Sequence, residues 1–280
     1  MASRKKPTLE ELIANLPEAE KQILTSQLSG PKKRSIGTFD HKFSDKRIRI
    51  GVMGDMHIGH SKFRPDVLDK AFKFYKQEGV EVIYQAGDIL EGMSGRPGHI
   101  YELNQIGFNA QINYAQSLLS SAPAPIYAIT GNHDQWYLKK GDAGVDVGEE
   151  LEARLSNFHY LGMNEADVKL KDNVTLKLFH PNDGTAYAQS YKIQKLIESF
   201  TESEKPNILV EGHYHKSLYT HIRGVHGFEA GCFQDQSEFM RLKKLPANVG
   251  FWLLDIYTGK NGVDRLTSTF VDNNDVLYKG

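Results

Sequence analysis

"RIRIGVMGDMHIGH", residues Arg47–His60, decides how the rest of the chain is read. Its first half is a short apolar run, Ile48-Arg-Ile-Gly-Val-Met53, with the character of a strand. Its second half places an acid and two imidazoles, Asp55, His57 and His60, within six positions. The following segments alternate in period. Pro65 to Gln77 sets Leu68, Ala71, Phe72 and Tyr75 on one helical side, and Val82 to Ala86 is a buried strand. Asn104 to Leu119 is the next helix and Ile126 to Thr130 the next strand. This βαβαβ order predicts a parallel sheet, with ligands expected beyond the carboxyl ends of its strands.

Further along, strands predominate. Segments 166–171, 174–180, 207–211, 217–222, 225–231, 249–257 and 265–271 read as strands, with helices near 144–156 and 188–200 between them. That is more strand than one parallel sheet usually takes. The expectation is an α/β fold with two packed sheets flanked by helices. Ahead of Arg47, residues 8–29 read as two short helices, with Thr8 and Glu11 as a capping box, Pro17 opening the second and Gly30 ending it. The basic, Gly- and Pro-containing stretch from Gly30 to about Asp45 reads as a linker. Residues 1–45 are thus expected to form a helical N-terminal arm and linker, and 46–280 the main domain. An arm of that size buries little core by itself, so it suits packing on the main domain, on a second copy of the chain or on a protein partner.

Composition narrows the classes. Hydrophobic residues make up 40% of the 280 positions and charged ones 25%, which fits a globular chain with a sizeable core. A formal charge of −1 neither demands nor excludes a nucleic-acid partner. One cysteine, Cys232, excludes an intrachain disulfide framework and any multi-cysteine metal site, and fits a reducing compartment. The start, MASRKKPTLEEL, has no apolar core of a signal peptide, and no run approaches the roughly 18 apolar residues of a membrane span. The expectation is a cytoplasmic protein with no membrane partner.

The polar residues collect at strand ends. The first strand ends in Asp55-Met-His57, the second in "AGDILEG" with Asp88 and Glu91, the third in "TGNHD" with Asn132, His133 and Asp134, and later ones in "LFHP" at His180 and "EGHYH" at His213 and His215. In a doubly wound sheet these ends lie along one edge, so clusters spread over the sequence converge in space. The Gly before most of them (Gly54, Gly87, Gly131, Gly212) is expected to let the backbone turn sharply. Two Asp, one Asn and four His make a nitrogen and oxygen ligand set without thiolate, suited to Mn, Fe, Zn, Ni or Co. Seven side chains are too many for one ion that keeps a position open. Two divalent ions sharing a bridging carboxylate, at the roughly 3.5–4 Å spacing of two-metal hydrolytic sites, fit the count.

D-x-H, G-D-x-x-[DE], G-N-H-[DE], a lone His and G-H-x-H, in this order over about residues 47–232, resemble the calcineurin-like metallophosphoesterase superfamily. The resemblance implies a four-layer α/β/β/α sandwich and a binuclear metal-dependent phosphoesterase. It implies one ion on Asp55, His57, Asp88 and His215, and another on Asp88, Asn132, His180 and His213, with Mn2+ the first choice of metal. His133 would be the non-ligand imidazole that protonates the leaving oxygen or neutralises its charge, and Asp134 the acceptor that orients His133. Glu91 fits the acidic place of the second motif, either as a metal contact or as a loop residue. The D-x-H-I-G variant and the intact G-N-H-D resemble the SbcD-type DNA repair nuclease branch.

Substrate choice falls to the inserts. Gly92 to Glu102 offers Arg96 and His99 with Tyr101 beside the expected site, and "QWYLKK" offers Trp136 and Tyr137 for base stacking with Lys139 and Lys140 for phosphates. His180 to Tyr191 adds Asn182 and Thr185, and His60 is expected to bound the pocket. These features favour a phosphodiesterase acting on nucleic acid, a DNA exo- or endonuclease. The alternative is a phosphodiesterase or phosphatase for small nucleotides or other phosphate esters. A non-enzymatic scaffold is disfavoured because all seven ligand positions are filled.

Overall fold

The structure is a computed structural model that describes residues 16, 17, 21, 38–41, 43–139 and 144–273. The chain divides into two units, Met1–Ser35 and Ile36–Gly280. The two helices read over residues 8–29 lie outside the described residues, apart from three isolated positions.

The second unit carries twelve strands among the described residues: β1 (Thr38–Asp40), β2 (Arg47–Met53), β3 (Val82–Ala86), β4 (Ile126–Thr130), β5 (Phe158–Met163), β6 (Glu165–Lys171), β7 (Val174–Phe179), β8 (Ile208–Glu211), β9 (Ser217–Ile222), β10 (Val225–Ala230), β11 (Gly250–Gly259) and β12 (Gly262–Asp272). Its α-helices are α1 (Pro65–Glu78), α2 (Phe108–Leu119), α3 (Trp136–Lys139), α4 (Val147–Arg154), α5 (Tyr191–Ser199) and α6 (Glu238–Lys243). One sheet runs β12-β11-β2-β3-β4-β5, with β2 to β5 parallel, and the other β1-β6-β7-β8-β10-β9.

Alternation along the strands builds four layers. Ile48, Ile50 and Val52 of β2, with Val82, Tyr84 and Ala86 of β3, face Val168, Leu178, Val210 and Phe228 of the other sheet, all fully or almost fully buried. Met53 and Ile83 point the opposite way, onto Leu68, Ala71 and Tyr75 of α1 and Ile112 and Ala115 of α2. On the far side, Leu209 and Val225 pack under Ile193 and Ile197 of α5. The chain is therefore an α/β/β/α sandwich. No helix among the described residues is long and apolar enough to cross a membrane.

Local chemistry explains the boundaries. Helix α1 starts at Pro65, whose missing N–H is not needed there, and stops at Gly79, held at φ 66° with its N–H on the Lys76 carbonyl. The second helix starts at Phe108 rather than Asn104, because the Asn104 and Gln105 N–H groups donate to the Gly59 carbonyl. The stretch read as linker contains β1, whose Phe39 pairs with Val168. Strand β5 had no counterpart in the sequence reading. It carries Gly162 at φ 138° and joins β4 with a register shift, so its alternation is broken.

Candidate metal centre

The carboxyl ends of β2, β3, β4, β7 and β8 meet along one edge, as the βαβ order requires. Three groups of side chains there could each hold an ion: Asp55, His57 and His215; His57, Asp88 and His133; and Asp88, His180 and His213, with ligand atoms within 4.8 Å of one another in each. Asn132 joins the third group, its Oδ1 lying 3.2 Å from His180 Nε2. All seven residues singled out as ligands are thus in one place, with His133 beside them.

Close packing of backbone makes this convergence feasible. A Cβ on Gly131 would lie 2.2 Å from Asp88 Oδ1 and 2.6 Å from His180 Nε2, and one on Gly212 would lie 2.4 Å from the Ala86 carbonyl. Neither glycine has a left-handed φ, so what they provide is room, not the sharp turn expected of them. The left-handed conformation falls instead on His57, Asp88, His213 and His215, at φ 53°, 52°, 79° and 54°. Such strain in non-glycine residues clusters where function overrides backbone preference.

Hydrogen bonds fix the imidazoles. His180 Nδ1 lies 2.7 Å from the Ala86 carbonyl, His133 Nδ1 2.9 Å from the Glu91 carbonyl and His213 Nε2 2.7 Å from the Asp183 carbonyl. A carbonyl only accepts, so these nitrogens donate and the opposite ring nitrogen carries the lone pair when the ring is neutral. His57 Nδ1 likewise donates to Glu91 Oε2 at 2.7 Å. The consequence is a collision of acceptors: His180 Nε2 faces Asp88 Oδ2 at 3.3 Å as well as Asn132 Oδ1, and His57 Nε2 faces His215 Nε2 at 2.9 Å. Only a proton or a cation between such atoms makes the contacts favourable.

Charge tells the same story. Burial raises Asp55 and Asp88, but the His215 hydrogen bond on one and the His180 and His133 charges on the other bring both below the ordinary carboxylate value. Burial lowers His180, yet Asp88 lifts it to about 9, and His215 is held well up by Cys232 and Asp55 against the same burial effect. His57 and His213 go down, first through burial. Two carboxylates held low by their neighbours and four imidazoles clustered on them are a donor set that fits divalent cations, which would displace the protons that His180 and His215 hold against Asp.

A family model described as calcineurin-like phosphoesterase matches residues 48–217, more than half of the chain. The chain belongs to that family. Among curated relatives, the DNA polymerase II small subunit of Halobacterium salinarum is 24% identical over 253 residues, covering 76% of this chain and 49% of its own length. The protein of that name from Methanothermobacter thermautotrophicus is 24% identical over 246 residues, covering 72% and 50%. The chain thus spans about half the length of the curated relatives it matches. Of solved structures, an archaeal phosphodiesterase aligns at TM-score 0.47 and 15% identity over 80% of this chain and 100% of that one. The E. coli phosphoesterase YfcE aligns at 0.44 and 12% over 79% and 98%.

Within this calcineurin-like chain a cavity of about 560 Å³ opens onto His57, Asp88, His133, His213 and His215. Several residues expected to meet substrate have other duties. His99 lines the cavity but is 2% exposed, gives its Nε2–H to Glu91 Oε1 at 2.7 Å and accepts the Ser94 N–H at its Nδ1, so its polar atoms are committed to the protein. Arg96 lines the cavity, but both ends of its guanidinium fork grip Glu102, at 2.9 and 2.6 Å. His60 lines it too, with Nδ1 accepting the Lys62 N–H and Nε2 3.5 Å from Glu102. Trp136 lies in the wall with its ring 4.0 Å from that of His133. Tyr137 is instead core, packed on Phe108. The Lys139 side chain and Lys140 lie outside the described residues.

Asp134 does not touch His133. Its carboxylate accepts the N–H groups of Leu90, Gly131 and Ile89 at 2.8, 2.9 and 3.2 Å, clamping the second and third motif loops together. Burial and the nearby Asp88 push it up to about 7. The anchor of His133 is Glu91, through its carbonyl and a carboxylate oxygen at 3.5 Å. Glu91 therefore holds His57, His99 and His133 at once. Burial would raise its carboxyl, but the charges of His133 and His57 bring it well below the usual range. Gln85 was also missed: its amide donates to the Gly54 and Gly87 carbonyls and accepts the Gly87 N–H, fixing the first two strand ends to each other. A lone polar residue in the apolar run VIYQA was the available signal.

Proposed function

We propose that the chain is a metal-dependent phosphodiesterase acting on nucleic acid, a DNA exo- or endonuclease of the SbcD-like kind. The observation that carries the phosphoesterase chemistry is the meeting of Asp55, His57 and His215 with Asp88, His180 and His213 around His57 and Asp88, with ring nitrogens and carboxylate oxygens turned toward one another. In this reading Asp55, His57, Asp88 and His215 hold one divalent ion and Asp88, Asn132, His180 and His213 the other, with Mn2+ as the first metal to try. When bound, the ions supply Lewis acidity to a phosphoryl oxygen and a water of lowered pKa. The protein does the rest. Glu91 and the Ala86 and Asp183 carbonyls keep the ligand nitrogens aimed. His133, whose Nδ1 donates to the Glu91 carbonyl with the Glu91 carboxylate 3.5 Å away, carries the proton given to the leaving oxygen. Asp134 keeps the loop that bears His133 in register with Asp88.

The nucleic-acid part of the reading is supported by the aromatic surface of Trp136 beside His133 and by relatives that carry the name of a DNA polymerase subunit. The unit Met1–Ser35 is reserved for a protein partner or a second copy, since β1 belongs to the sheet of the second unit. A second reading, a phosphodiesterase for small nucleotides, is favoured by the size of the cavity, which suits a ligand of one or two nucleotides. Both are tested by presenting Mn2+-loaded protein with labelled single- and double-stranded DNA, cyclic nucleotides, bis-p-nitrophenyl phosphate and monoesters side by side. DNA cleavage that needs metal is expected; turnover of small diesters with DNA left intact would give the second reading the field.

A further inference from the structure

The segment between β10 and β11 was not part of the motif set, yet it stands over the cavity. Its two feet are fastened to ligand-bearing backbone. The Phe233 N–H donates to the Asp55 carbonyl at 2.8 Å, and the Asn248 N–H donates to the His215 carbonyl at 2.8 Å. Between them, Ser237 caps α6 by accepting the Met240 N–H, and Met240 is buried. The span from Ser237 to Pro246 is therefore held at a set position relative to Asp55 and His215. It turns Phe239, Lys243, Leu245 and Pro246 toward the cavity.

Arg96 and Lys243 are the guanidinium and ammonium groups that line the cavity among the described residues. Arg96 is committed to Glu102 and lies 4.7 Å over the Phe239 ring, so it orients that ring and carries little uncompensated charge. Lys243 is exposed, and its ammonium stands in no ion pair with the described carboxylates. The wall thus combines one aromatic face, a small apolar floor and one cation outside any ion pair with the described carboxylates, in a cavity that Trp136 and His133 also line. That combination is the recognition chemistry of a nucleotide: a base has a face to stack and its phosphate a charge to meet.

Resting on the phosphodiesterase reading above, we infer that residues 237–246 form a nucleotide subsite, in which Lys243 meets the phosphate next to the scissile one and Phe239 stacks its base. The test is binding of fluorescein-labelled tetrathymidylate to the full-length protein in EDTA, read by anisotropy. Lys243→Ala is expected to weaken binding about five- to tenfold and to reduce the salt slope by about one ion, while Lys243→Arg restores affinity to within about twofold. Phe239→Ala is expected to weaken binding by a similar factor at every salt concentration. Unchanged affinity in both Lys243→Ala and Phe239→Ala, or no binding by the parent protein, overturns the subsite. Binding that depends on both residues, in a protein that cleaves no diester with any metal, would refute the phosphodiesterase reading and leave the subsite standing.

Discussion

Two pairs of buried carboxyl groups stand at neighbouring strand ends, and their surroundings set them apart. Asp55 and Asp88 are 0% and 1% exposed; Glu211 and Glu229, register partners on β8 and β10, are 2% and 1% exposed. Burial is equal, so burial does not distinguish them. Asp55 accepts the His213 N–H with both oxygens and faces His215, while Asp88 accepts the His133 N–H and faces His180. Among the described residues, Glu211 Oε2 and both oxygens of Glu229 have no hydrogen-bond partner. Burial lifts Glu211 to about 8 and Glu229 to about 7, with Lys216 opposing the shift in each. Imidazole partners, not depth, hold a buried acid ionised; Glu211 and Glu229, like Asp134, lack them close by and are pushed up toward neutrality.

The comparison is most easily broken at its centre. Asp88→Asn removes the charge shared by the two proposed ligand sets, and is expected to take turnover to background and strip bound metal, measured by elemental analysis. Full activity with undiminished metal would end the bridging assignment. His133→Ala is expected to keep the metal while lowering turnover by about 10²–10⁴, the usual range for a proton-transfer group. Metal loss in that variant would make His133 a ligand. Glu91→Gln removes the charge behind His57, His99 and His133, and should weaken metal affinity by roughly 10–100-fold, as loss of an outer partner does. An unchanged metal titration would show that hydrogen bonding without charge suffices.

The smallest effect belongs to the other pair. A carboxyl whose folded pKa is raised stabilises the fold fully below its unfolded value, near 4.5, and that stability is lost as pH rises through the folded pKa, about 7 for Glu229. Glu229→Gln removes the ionisation. It is expected to raise Tm at pH 8 by about 2–4 °C, what roughly 1 kcal/mol gives in a domain of this size, and to lose that advantage by pH 4. Metal content and activity should stay at the parent level. If Glu229→Gln instead depleted the metal, the division between the two pairs would fail.

Much of the molecule is legible in the sequence because strand order and polarity speak together. The runs that became β2, β3 and β4 are apolar, short and closed by polar residues, so both their direction and the edge they share follow from the βαβ rule. What stayed hidden depends on contacts distant in sequence. Nothing in "GRPGHIYE" says that His99 turns inward to Glu91, or that Arg96 is neutralised by Glu102. Asp134 follows His133 in the chain, yet two of its three partners are N–H groups of another loop, those of Ile89 and Leu90. The wall from Ser237 to Pro246 has no motif, and only the pinning of its ends to Asp55 and His215 places it. Strand β5 escaped because a glycine and a register shift interrupt its period.

The groups of the centre come from both sheets: β2, β3 and β4 bring Asp55, His57, Asp88 and Asn132, while β7 and β8 bring His180, His213 and His215. The first sheet alone brings together His57, Asp88 and His133, but neither of the two ligand sets proposed above is complete until the other sheet arrives. A cation met early in folding therefore finds only part of either set, and full coordination follows the docking of one sheet on the other. Ion uptake would then act as a clock for this chain, marking the moment at which its two halves close.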